Sequence, residues 1–115
     1  MHELSLSQGI VSTVLAADGV EPERLTAVTI EVGALSAVNV SSLEFCMRLA
    51  LDERGMEQTS VEIRRVPARL RCRCGRTYET EDMFAACPEC GGFEREVIEG
   101  MDVNIPYVEV QDEQG

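Results

Sequence analysis

The chain has 115 residues, enough for one compact domain or for a small domain carrying a mini-domain. It is strongly acidic, with 21 Asp and Glu against 10 basic residues, and this balance argues against binding nucleic acid through its phosphates. Hydrophobic residues make up 44% of it, sufficient for a core and against disorder of the whole chain.

The chain opens "MHEL", which holds its single histidine. The amine of Met1, the amide nitrogen of His2 and its imidazole can close two fused rings around one ion. Ni(II) and Cu(II) suit such tetragonal N and O donors, and the amide or carboxylate of Glu3 can take the fourth position. Methionine aminopeptidase spares Met1 before a residue as large as His, so the amine stays on Met1. The competing reading is a histidine that drifts at an unconstrained terminus. Glu3 stands where a signal peptide would carry Lys or Arg, and Ser5, Ser7, Gln8, Ser12 and Thr13 break the apolar run. No segment approaches the roughly 18 apolar residues of a membrane-spanning helix. The chain reads as cytoplasmic, where thiols stay reduced.

Leu6, Ile10, Val14 and Ala17 fall at helical spacing, predicting a helix over Leu4–Ala17 that Asp18-Gly19 closes. "LTAVTIEV" alternates and is β-branched, predicting a strand over Leu25–Val32 that Gly33 ends. A loop follows through Ala34 to Val40. Ser41, with Glu44 three residues on, has the form of a capping box for a second helix with a stripe of Leu43, Cys46, Met47 and Ala50. Gly55 follows its end. "SVEIRRV" predicts a strand over Ser60–Val66, stopped by Pro67. "MDVNIPYVEVQ" predicts a last strand, with Pro106 placing it at a sheet edge or a bulge. The fold class is α+β: a small mixed sheet with two helices, and a zinc-ribbon-like mini-domain inserted before the last strand.

The insert, residues 67–97, carries two close cysteine pairs: Cys72 and Cys74, then twelve residues, then Cys87 and Cys90. Each pair is a clip, and the hairpin between them can bring both to one tetrahedral zinc. In "CPECGG", Pro88 bends the turn and Gly91 lets the backbone fold back, so that amides can reach the sulfurs. The first clip has only Arg73 between its cysteines, which predicts fewer such contacts. Two disulfides and a three-cysteine site with an outside ligand are the alternatives; the reducing compartment disfavours the first. Four thiolates leave no open position for water, so the zinc reads as structural rather than catalytic. An insert this short needs it to fold.

Cys46 has apolar helical neighbours and reads as a core residue rather than a redox or metal site. Every basic residue is Arg, and six of the ten lie between Arg64 and Arg76. No aromatic residues interleave with them, so base stacking is poorly supported. They read as a solvated strand face that also offsets the charge of a zinc–thiolate group, about −2 by ligand count. Docking to an acidic protein is the further reading.

"MHELSLSQGIV", "IEVGALSAVNVSSLEFCM", the cysteine insert and "VIEGMDVNIPYVEVQ" together resemble the HypA/HybF family across nearly the whole chain. These proteins are nickel-insertion accessories for [NiFe]-hydrogenase and, in some bacteria, urease. The resemblance implies a metallochaperone without enzymatic activity. Ni(II) would be held by Met1, His2 and Glu3, and structural zinc by Cys72, Cys74, Cys87 and Cys90. Residues 1–66 with 98–115 would form the nickel-binding domain, and 67–97 the zinc-binding insert. The implied partners are a HypB-type GTPase and the hydrogenase large subunit, with room for a homodimer and none for nucleic acid or membrane. Two departures stand out. The family's first clip usually has two residues between its cysteines. Asn39, a neutral and weaker donor, stands where the family often has an acidic residue. The rival reading, a zinc-ribbon interaction module without nickel function, accounts for the insert but not for His2. A hydrolase fits least, with one histidine and no second base beside a nucleophile.

Overall fold

The computed structural model describes residues 3–82 and 84–111. Among the described residues, two helices and six strands follow in the order α1 (Glu3–Leu15), β1 (Leu25–Gly33), α2 (Val40–Asp52), β2 (Ser60–Val66), β3 (Ala68–Cys72), β4 (Thr77–Thr80), β5 (Arg95–Glu99) and β6 (Val103–Val110). The α+β class therefore holds, and the strand over Ser60–Val66 has its expected bounds. The strands form two three-stranded sheets, β2-β1-β6 and β4-β3-β5. β6 is an outer strand, the kind of position where a proline such as Pro106 is tolerated. Among the described residues, no helix is long and apolar enough to cross a membrane.

α1 ends at Leu15 and leaves Ala17 exposed, so the expected stripe is shorter by one turn. Its buried residues are Ser7, Ile10, Val11 and Val14. Ser7 is tolerated inside because its hydroxyl donates to the Glu3 carbonyl at 2.8 Å.

The start of α2 corrects the capping expectation. Asn39, not Ser41, is the N-cap, in extended backbone geometry with its side chain accepting from the Ser42 amide at 2.9 Å. Both residue types cap well, but the turn begins two residues earlier, which puts Ser41 inside the helix. Leu43, Met47, Ala50 and Leu51 are buried; Cys46 is only half-buried, at the margin of the stripe rather than in it. Arg48 ties the helix to the following loop, donating to the carbonyls of Thr59 at 2.7 Å and Met56 at 2.8 Å. Thr59 in turn is buried and donates to the Leu25 carbonyl at 2.8 Å.

The chain forms two compact units. One is made of Glu31–Ala37 and Arg64–Asn104; the other takes both helices. The first takes in the cysteine insert. Its core is Ala68, Leu70, Cys72, Tyr78 and Cys87, with Leu35 and Val97 packed against it. β3 supplies three of these because its residues alternate inward and outward: Ala68, Leu70 and Cys72 are buried, Arg69 and Arg71 exposed. β3 pairs antiparallel with β4 and with β5.

Candidate metal centre

The clips are built by two tight turns. After Cys72 the chain reverses with Gly75 N–H donating to the Cys72 carbonyl at 2.9 Å and Cys72 N–H to the Arg76 carbonyl at 2.8 Å. The second turn mirrors it: Gly91 N–H donates to the Cys87 carbonyl at 2.8 Å, and Cys87 N–H to the Gly92 carbonyl at 2.9 Å. These turns bring all four sulfurs within 4.8 Å of one another. Cys72 Sγ lies 3.5 Å from Cys90 Sγ, and Cys74 Sγ 3.7 Å from Cys87 Sγ.

Zinc–sulfur bonds of about 2.3 Å in a tetrahedron put the sulfurs roughly 3.8 Å apart. The observed spacing fits that cage and is far beyond the ~2.05 Å of a disulfide. Cys72 and Cys87 are buried, Cys74 and Cys90 exposed.

Main-chain amides point at the sulfurs. Glu89 N–H donates to Cys87 Sγ and Gly92 N–H to Cys90 Sγ, each at 3.4 Å. Both of these contacts are made at the second clip, in keeping with the fewer that the one-residue gap of the first predicts. Burial pushes the Cys87 thiol up, but the Cys90 and Glu89 amides and the neighbouring thiols outweigh it and bring it down to about 7. The Cys74 amide draws the Cys72 thiol down, yet burial and the Cys90 and Cys87 thiols leave it raised. Cys74 is likewise raised: the Arg76 amide lowers it, while burial and the Cys72 and Cys87 thiols push it up. Such a set sheds its protons most readily to a soft dication that all four sulfurs share.

Five of the six arginines between Arg64 and Arg76 prove to be closed by carboxylates. Arg65 meets Glu81 at 3.2 Å, Arg69 meets Glu99 at 3.5 Å, and Arg71 meets Glu96 at 3.2 Å. Arg73 meets Glu94 at 2.7 Å and Arg76 meets Glu89 at 3.4 Å. A bulge makes the match on β5. Arg71 stands opposite Glu96 and Leu70 opposite Val97, but Arg69 stands opposite Glu99, so Ile98 is the extra residue. The solvated-face reading is the one this pairing supports, and an open cationic patch is not what these residues form.

Of the proposed nickel ligands, Met1 and His2 lie outside the described residues. Glu3 is the first residue of α1, and its Oε2 accepts a hydrogen bond from the Asn39 amide at 3.3 Å. Sequence reasoning missed this pairing and the cap that goes with it.

Two helices, two small sheets and four thiols gathered at the spacing of a zinc cage make, among the described residues, a small α+β protein with a candidate metal centre. Comparison with known proteins narrows the class. The chain belongs to the HypA family: the family described as hydrogenase/urease nickel incorporation, metallochaperone, matches residues 1–110. A hydrogenase maturation factor HypA of Dehalococcoides mccartyi is 31% identical over 115 residues, covering 98% of this chain and 97% of that protein. The HypA of Geobacter metallireducens is 33% identical over 112 residues, covering 96% and 100%. In fold, the chain is similar to the solution structure of the Ni metallochaperone HypA from Helicobacter pylori, with a TM-score of 0.67 at 17% identity, covering 98% and 100%.

Proposed function

We infer that this chain carries Ni(II) as cargo on Met1, His2 and Glu3 and delivers it for assembly of a [NiFe]-hydrogenase. The observation that supports the reading is the family match, which spans residues 1–110 and carries a description of nickel incorporation. Its receiver is the hydrogenase large subunit, and a HypB-type GTPase accompanies the transfer in the cytoplasm. The chain itself makes and breaks no covalent bonds of a substrate; it binds, protects and releases an ion.

The chemistry of the tripeptide suits that task. Amine, amide and imidazole nitrogens form a compact chelate that tolerates square geometry, and each must lose a proton to bind. Protonation therefore provides a release route without any change of fold. Zinc on Cys72, Cys74, Cys87 and Cys90 is the resident metal, and it supplies cross-linking of two turns rather than catalysis. Residues 67–97 serve as the zinc-binding insert, and 1–66 with 98–115 as the nickel-binding domain.

Metal titration of purified, untagged protein tests the assignment. About one zinc per chain as purified and one added nickel are expected, with His2→Ala losing nickel but retaining zinc. Absence of stoichiometric nickel binding would leave only the zinc-ribbon interaction module.

A further inference from the structure

The main-chain carbonyl, the main-chain N–H and the side-chain oxygen of Asn39 are already engaged. Its carbonyl oxygen accepts from the Leu43 amide at 2.9 Å, closing the first turn of α2. Its side-chain Oδ1 accepts from the Ser42 amide at 2.9 Å, as an N-cap does. Its own main-chain N–H donates to Glu3 Oε2 at 3.3 Å. The capping bond fixes the direction of Oδ1 toward the Ser42 amide, so turning the side chain toward a metal would strain that bond and weaken the cap. Glu3 is different: a carboxylate has a second oxygen, and the bond to Oε2 fixes the group without using it up.

We propose that Asn39 is a positioning residue for nickel and not a ligand: its cap holds the first turn of α2, whose Asn39 amide holds the Glu3 carboxylate in place. This rests on the reading that Glu3 belongs to the nickel site. The link runs in three steps. Oδ1 fixes the backbone at the helix start, the backbone aims the Asn39 N–H, and the N–H orients Glu3. A carboxylate oriented before the ion arrives has less freedom to lose on binding it. The positive end of the α2 dipole also favours a negative group at that place.

Substitutions at residue 39 separate the parts. Asn39→Ser keeps a capping oxygen and the N–H. Asn39→Ala keeps only the N–H. Asn39→Pro has neither, and the native φ of −82° lies close to what proline adopts. Nickel affinity would be measured by calorimetry on untagged protein at about pH 7.5, where imidazole is mostly neutral. Zinc content, helical signal and the absorption spectrum of the nickel complex would be recorded on the same samples. Asn39→Ser should stay within about twofold of wild type, Asn39→Ala should weaken nickel about three- to tenfold, and Asn39→Pro further. Zinc content and the nickel spectrum should remain those of wild type throughout, because no ligand is lost. Equal weakening in Ser and Ala with a changed spectrum would make Oδ1 a ligand and overturn the proposal. Unchanged affinity in Ala and Pro would overturn it as well. Glu3→Gln distinguishes this failure from that of the underlying function. If wild type binds nickel and Glu3→Gln binds it equally well, the positioning scheme falls while a chelate of Met1 and His2 stands.

Discussion

Gly33 and Gly100 meet backbone to backbone. Gly33 N–H donates to the Asp102 carbonyl at 2.9 Å, and the Gly100 carbonyl accepts from Leu35 at 2.9 Å. A Cβ on Gly33 would overlap the Gly100 carbonyl group, and a Cβ on Gly100, at φ 108°, would overlap Ala68. This crossing explains why β1 stops at Gly33 and how the next loop reaches back to pack Leu35 on the cysteine-containing core.

Gly33→Ala should therefore destabilise the chain by about 2–4 kcal/mol, since the obstructing atoms are main chain and cannot swing aside. Gly9 is the contrasting case: it lies within α1 and a Cβ there meets nothing within 4 Å. Gly9→Ala should stabilise by about 0.5–1 kcal/mol. Thermal or urea unfolding of both variants checks the opposite signs. A neutral Gly33→Ala would mean that the close approach is absent in solution.

The cysteine cage makes a second prediction. Cys87→Ala removes a buried sulfur and Cys90→Ala an exposed one, yet both break the same set of four. Each should lose zinc and disorder residues 67–97 while the helices persist, because metal binding supplies the folding energy of so small a segment. Zinc analysis and amide exchange on the purified variants would show it. A zinc-free protein with a protected insert would contradict it.

The ladder of Arg and Glu residues predicts small effects. Arg71 and Glu96 are both exposed at 3.2 Å separation, so Arg71→Ala should cost less than about 1 kcal/mol. Retention on heparin should be negligible for wild type and variant alike, since these guanidinium groups already face carboxylates. Strong, salt-sensitive retention that falls in Arg71→Ala would revive the cationic patch.

Period and spacing made the elements legible where one force dominated. The alternation of "SVEIRRV" marks a strand half in water, and Pro67 ends it sharply, so both bounds could be read. The paired cysteines announced their cage because little else explains such spacing. The start of α2 was less legible. Asn39, Ser41 and Ser42 are all competent caps, and the choice among them depends on where the incoming loop aims the first turn. The partner of that loop, Glu3, is 36 residues away. The bulge at Ile98 was hidden for a similar reason. Only the facing arginines of β3 reveal that Glu96 and Glu99, three apart, must point the same way. Cys46 lies beside apolar residues in sequence, but its angle on α2 puts it at the margin of the buried stripe.

The last prediction follows from the protons that the proposed nickel chelate must displace. A free chain amine loses its proton near pH 8 and a free imidazole near 6.5, and an amide ionises only as a metal binds. Each proton competes with nickel, so affinity should fall steeply as pH drops from about 8 to 6. Zinc should stay bound over that window, because coordinated thiolates resist protonation there. Two residues added before Met1 should do the damage of low pH at any pH: the amine becomes an amide, and His2 is no longer beside a chain end. Calorimetry of untagged and extended protein at about pH 7.5, with zinc counted in both, checks the point. The extended protein should keep its zinc and lose most of its nickel affinity. Equal nickel affinity in the two would show that the Met1 amine is not a ligand, and the imidazole would then need other partners.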